Sequence, residues 1–215
     1  MSRRPNITVP SLVLLAGVSL GAGSDAGAAS RSGGFAVRGV GAQKCGELVA
    51  RIEQDRSGPA IEHLAAWTAG YLSHLNRATP GTYDAMPVVD NGVVAQVVAN
   101  VCRSNADAFV ETVLATLAVS FASGSIGEES ELIEVAAGDN RTMLRRAVFR
   151  LVQEHLIEEG HLSPGSADGY YGPRSGEGLR NYQKANGLTE TGIPDPATLI
   201  SIFANAGDAG SRANP

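Results

Sequence analysis

Apolar residues recur along most of this chain with the 3.6-residue period of a helix. Cys45, Leu48, Val49 and Ile52 follow the i, i+3, i+4, i+7 rule of one buried face. Ser57-Gly58-Pro59 interrupts that stripe, and Pro59 suits a first helical turn, where a missing N–H costs little. A second stripe carries Ile61, Leu64, Ala65, Thr68, Tyr71, Leu72 and Leu75. Residues 76–91, rich in Asn, Pro, Gly and Asp, predict a loop. Asn91 is placed to cap a third helix with Val94, Val97, Val98, Val101 and Cys102 inward, and Asp107 a fourth with Val110, Val113, Leu114, Leu117 and Phe121 inward. Residues 35–122 therefore predict a four-helix domain.

The pattern then loosens. Residues 123–140 are Gly-rich and acidic, with Glu128, Glu129, Glu131 and Glu134 close together, and read as a linker holding one short helix around Glu131–Ala137. Helical periodicity returns over 141–206 in three short runs. Leu144, Val148, Leu151, Val152 and Leu156 mark the first, which Gly160 ends. After a Gly- and Pro-rich loop, Ser175 is placed to cap the second, with Leu179 and Tyr182 inward and Gly187 at the C′ position that favours φ > 0. Pro196 opens the third, which carries Leu199, Ile200 and Phe203. The tail 207–215 is polar and is expected to be disordered. The fold class is all-α.

Charge and the N-terminus narrow the setting. A net charge of −5 opposes sequence-independent nucleic-acid binding, which rests on clustered Lys and Arg against phosphate. Arg3-Arg4, an apolar run from Ile7 to Leu20 and the Ala26-Gly27-Ala28 triplet have the order of a secretory signal peptide, residues 1–28. The rival is an uncleaved anchor, but the run falls short of the ~20 residues a spanning helix needs, so no transmembrane helix is expected in the mature chain. The adjacent arginines suit twin-arginine export, whereas Asn6 stands where that signal turns apolar; the route stays open. The two cysteines, Cys45 and Cys102, allow one internal pairing, the expected state in an oxidising compartment. Both lie on apolar faces, which supports a staple between the first and third helices. The alternatives are two buried free thiols or a metal pair, and no CxxC or His cluster accompanies them.

The segment from Asp168 to Leu199 reads DGYYGPRSGEGLRNYQKANGLTETGIPDPATL. Asp168-Gly169, Tyr171-Gly172-Pro173, Leu179-Arg180-Asn181-Tyr182-Gln183, Gly187-Leu188, Thr191-Gly192, Asp195 and Thr198-Leu199 resemble the successive motifs of the peptidoglycan-binding domain 1 family. The resemblance implies a three-helix module that binds peptidoglycan and carries no cofactor. Ser175 stands where Thr is usual, and Gly176 and Gly178 where Ala is frequent; inside a helix each Gly costs about 1 kcal/mol against Ala.

Most of the motif has a structural explanation. The glycines serve turns, Tyr171, Leu179, Tyr182, Leu188 and Leu199 serve a core, and Asp168 and Asp195 suit hydrogen bonds to loop amides. The outward set supplies the candidate ligand contacts. Tyr170 offers a ring to a sugar face, Arg174 and Arg180 offer forks to peptide-stem carboxylates, and Lys184 follows Arg180 by one turn, with Asp168 beside them. A solvated charged face predicts the same pattern.

In the first domain, Lys44-Cys45, Trp67-Thr68-Ala69-Gly70-Tyr71-Leu72-Ser73-His74-Leu75-Asn76 and Val101-Cys102 resemble the HdeA-type acid-stress chaperones and related immunity proteins against wall-degrading toxins. That resemblance implies a periplasmic protein partner for the N-terminal domain.

Catalytic signatures are sparse. His63 and His74 are eleven positions apart, about 16 Å along a helix, too far to share a metal. His155, His161 and Asp168 lack the paired spacing of a zinc peptidase, no G-x-S-x-G occurs, and neither Cys has a His–Asn arrangement nearby. Glu158-Glu159 sit in ordinary helix positions, whereas a glycosidase needs carboxyls across a cleft. The sequence thus predicts no catalytic and no metal residues. It points to an exported, wall-associated peptidoglycan-binding protein, periplasmic or secreted, that tethers a small helical domain. The rivals are a periplasmic chaperone or enzyme inhibitor, and an accessory wall hydrolase.

Overall fold

The computed structural model describes residues 34–55 and 58–204. The expected export segment 1–28 and tail 207–215 lie outside them. Four helices come first: α1 (Cys45–Gln54), α2 (Ala60–Ala78), α3 (Asn91–Arg103) and α4 (Val110–Ser120). A hairpin of β1 (Leu132–Ala137) and β2 (Asn140–Arg145) follows, then α5 (Arg146–Glu158), α6 (Pro173–Ala185) and α7 (Pro196–Ala204). The fold is mostly helical, as the periodicity predicts.

The four stripes bury the faces expected of them. Leu48, Leu64, Leu72, Val94, Val98, Val110 and Leu114 enter one core, and Cys45 joins Cys102 across α1 and α3 with 4.8 Å between their Cα atoms. Two helix starts differ from expectation. Asp90, not Asn91, caps α3, its Oδ1 accepting from Gly92 N and Val93 N. Asp107 does not cap α4. Instead the starts of α1 and α4 hold one another through the backbone: Val110 N donates to Gln43 O, Cys45 N to Ala108 O and Gly46 N to Ala106 O. Such a cap is made by residues some sixty positions away, so no local signal announces it.

The short helix expected around Glu131–Ala137 is a strand. Ile133 and Val135 alternate inward with Glu134 and Ala136 outward, and Val135 is fully packed. This is the period-2 pattern of a half-buried strand. Antiparallel register runs from Leu132↔Arg145 to Ala137↔Asn140. Gly138, at φ 59°, takes the first position of the two-residue turn, the place a type II′ hairpin reserves for Gly. Leu144, expected on the next helix, is buried from β2.

Residues 122–145 are packed between the two helical units. Ile126 exchanges backbone hydrogen bonds with Tyr83 and Asp84. Arg145 Nε lies 3.0 Å from Asp84 Oδ2, its guanidinium stacks 4.9 Å from the Tyr83 ring centre, and it also donates to Ser130 O. Gly124 leaves no room for a Cβ between Pro87 and Phe203. One buried apolar cluster therefore runs from Cys45 through Phe121, Ile126, Val135 and Leu144 to Phe203.

Candidate binding site

Two buried glutamines organise the C-terminal unit. Gln153, on α5, sits between Phe149 and Leu156 on the apolar face. Its amide nitrogen faces Asp168 Oδ1 at 3.1 Å, Tyr170 O at 3.1 Å and Ser175 Oγ at 3.2 Å, and its Oε1 accepts from Gly169 N at 2.7 Å. Gln183, on α6, repeats the device. Its amide nitrogen faces Thr191 Oγ1, Ile193 O and Thr198 Oγ1, all at 2.9 Å, and its Oε1 accepts from Gly192 N. Each amide supplies a donor and an acceptor to a loop that turns at a glycine of positive φ, Gly169 at 77° or Gly192 at 70°. Buried polar groups are costly unless paired, so each glutamine prescribes the path of its loop.

Ser175 therefore has a role other than the expected cap. Gly172 holds the N-cap position of α6, Pro173 begins the helix, and the Ser175 hydroxyl is buried against Gln153. The two unusual glycines of α6 are also explained. A Cβ on Gly178 would lie 2.7 Å from the backbone oxygen of His161, and one on Gly176 2.6 Å from Tyr171 Oη, which is itself committed to Gly192 O. Close approach of the elements, rather than a soft helix, accounts for both.

The Gln153 loop presents Tyr170. Its ring is 63% exposed and lies 4.1 Å from the Arg146 guanidinium, within the range of a cation–π contact. Arg146 also reaches Glu131 Oε1 at 2.5 Å and Gly169 O at 3.3 Å, so the tyrosine rests on a fixed platform. The Asp168 carboxyl is held below its ordinary range, chiefly by the Tyr170 N–H, then by the Gln153 amide, with the Arg146 charge assisting.

A groove of about 530 Å³ opens beside this loop, lined by Leu162, Ser166, Asp168, Tyr170, Tyr171 and Arg174 among others. It brings together three of the five residues predicted to contact ligand: Asp168, Tyr170 and Arg174. Arg180 and Lys184 stand apart on the exposed face of α6, where Arg180 lies over the Gly192 loop. Periodicity did not single out Gln153 or Arg146, and it gave Ser175 the role of a cap rather than of a partner to Gln153. The available signal for Gln153 was a polar residue at a position that the stripe Val148, Val152 and Leu156 assigns to the core.

His155 and His161 both turn edge-on to Tyr182, at 5.5 and 5.9 Å between ring centres. Asp168 faces Gln153 instead. Among the described residues no group of three or more His, Cys, Asp or Glu is arranged to hold a metal, and no helix is long and apolar enough to cross a membrane.

Residues 145–202 match the family model described as "Putative peptidoglycan binding domain". The C-terminal unit is a peptidoglycan-binding domain of that family, and wall polymer is the ligand class its fold supports. The match takes in α5, α6, their loops and most of α7; the four N-terminal helices and nearly all of the hairpin lie outside it. No curated protein and no solved structure matches the chain.

Proposed function

We propose that this chain is an exported, non-catalytic protein that holds peptidoglycan in the groove beside Tyr170 and so keeps its N-terminal helical unit at the cell wall. The family match over the C-terminal unit carries the reading. The groove's chemistry agrees with it: an exposed aromatic face suits a sugar ring, and Arg174 alongside suits a stem carboxylate. Asp168 shapes the loop through its amide contacts. The basic, apolar and A-x-A order of residues 3–28 supports export to the periplasm or beyond.

Purified sacculi test this. The mature chain is expected to sediment with them, and Tyr170→Ala combined with Arg174→Ala to weaken sedimentation by roughly tenfold, the effect of about 1.4 kcal/mol, without lowering the melting temperature. Binding unchanged by both substitutions would move the ligand site elsewhere. Release of soluble muropeptides by the native chain would overturn the non-catalytic assignment.

A further inference from the structure

A second groove, of about 520 Å³, lies on the other side of the Tyr170 platform. Its lining joins Ser125–Ser130, which precede the family domain, to Arg146, Ala147, Arg150, Leu151 and Glu154 of α5 and to Asp168-Gly169. Asp168 lines both grooves, so a ligand lying across Tyr170 and Arg146 enters one from the other. Each is within the roughly 300–1,000 Å³ of small-molecule sites, and a repeating polymer is long enough to occupy the pair.

The outer bank is held at both ends. Ile126 is buried and paired with Tyr83 and Asp84, and a Cβ on Gly127 would lie 2.8 Å from Gly81 O. At the other end Ser130 Oγ accepts from Ala147 N at 2.9 Å and Ser130 O accepts from Arg145. Between these anchors Glu128 and Glu129 are exposed. Across the groove both arginines are already paired, Arg150 with Glu154 at 3.0 Å and Arg146 with Glu131. Glu128 and Glu129 enter no such ion pair among the described residues, so the excess charge of this groove is negative. A segment whose backbone is held at both ends loses little further backbone freedom when a cation arrives.

We infer that the wall-binding surface extends beyond the family domain into this second groove, where Glu128 and Glu129 receive the free ammonium of a peptide stem whose sugar lies against Tyr170. The inference rests on the wall-binding reading above. It assigns residues 125–130 to ligand recognition and sets a preference for stems with an unblocked amine.

Calorimetric titration of the full mature chain tests it with two probes: a disaccharide–peptide fragment of peptidoglycan bearing a free diamino-acid amine, and the same fragment N-acetylated. The native chain should bind the free amine roughly fivefold more tightly, the effect of about 1 kcal/mol expected of exposed charge pairs, and the preference should shrink with added salt. Glu128→Gln with Glu129→Gln should abolish the preference while leaving the acetylated fragment's affinity and the melting temperature unchanged. Equal binding of the two fragments by the native chain, or a preference surviving in the double variant, would overturn the subsite. Sedimentation with sacculi separates the two failures: a chain that sediments but does not discriminate loses only this inference, whereas one that does not sediment loses the wall-binding reading as well.

Discussion

The N-terminal helices bury Leu48, Leu64, Val98 and Leu114 around a disulfide; the polar Thr68 is buried with them, and its hydroxyl has no hydrogen-bond partner among the described residues. The C-terminal unit buries Gln153, Ser175, Gln183 and Thr198, each with hydrogen-bond partners. An apolar interface sets which helix faces meet but tolerates many loop paths. A buried amide sets the loop, because each N–H and C=O it meets must be placed to within hydrogen-bonding distance. The contrast suits the proposed function: on that reading the second unit must aim Tyr170, and Gln153 holds the loop that carries it.

The largest expected effect lies on the apolar side of the comparison. Reducing Cys45–Cys102, which are separated by 57 positions, should remove about 4 kcal/mol on the chain-entropy account. Amide hydrogen exchange is the measurement, because the loss should concentrate in α1–α3. An equal loss in α5–α7 would show that the shared core makes the two units one cooperative body.

On the polar side, Gln183→Leu and Gln153→Leu should each cost roughly 2–3 kcal/mol in denaturant unfolding, since each strands a buried glycine N–H and its neighbours. The pair sharpens the comparison when binding is also measured. Gln153→Leu should weaken sacculus binding in conditions where the variant remains folded, because it frees the Tyr170 loop; Gln183→Leu should leave binding nearly intact.

The smallest effect is with pH. Burial pushes the His155 imidazole below its ordinary 6.5, with Glu159 and Glu158 partly opposing. The unfolded chain therefore takes up that proton first, so stability is level above about pH 6.5 and falls as pH drops below it. Asp168 is held below 3.8; its contribution is complete above that value and lost as pH falls through its lower folded pKa. Both steps belong to the C-terminal unit. His155→Gln should flatten the upper one in a series of melts, and an unchanged profile would assign acid sensitivity to other groups.

Much of this architecture is legible along the chain. The stripes at Cys45–Ile52 and Ile61–Leu75 announce helices because a 3.6-residue period has one structural solution. Gly187, at φ 67°, ends α6 as expected, and the Asp168–Leu199 string resembles the family that the comparison confirms. The hairpin was missed because Leu132–Ala137 is short and Ala-rich, and its strand period emerges only when Val135 and Leu144 find the common core. The site is legible in part. Tyr170 and Arg174 stand out as exposed residues in a patterned loop, whereas the platform beneath them depends on Arg146, fifteen residues beyond its partner Glu131.

The helices, the two glycine-turned loops and the family of the C-terminal unit are written in the sequence, because each rests on contacts within a few positions or on a motif with fixed spacing; the Cys45–Cys102 pairing was expected because two cysteines allow one partner choice. Tertiary structure decided the mutual capping of α1 and α4, the packing of residues 122–145 against the Asp84 loop, and the two grooves that meet at Asp168. These depend on groups far apart in the chain satisfying one another's hydrogen bonds and charges, and no local period records which will meet.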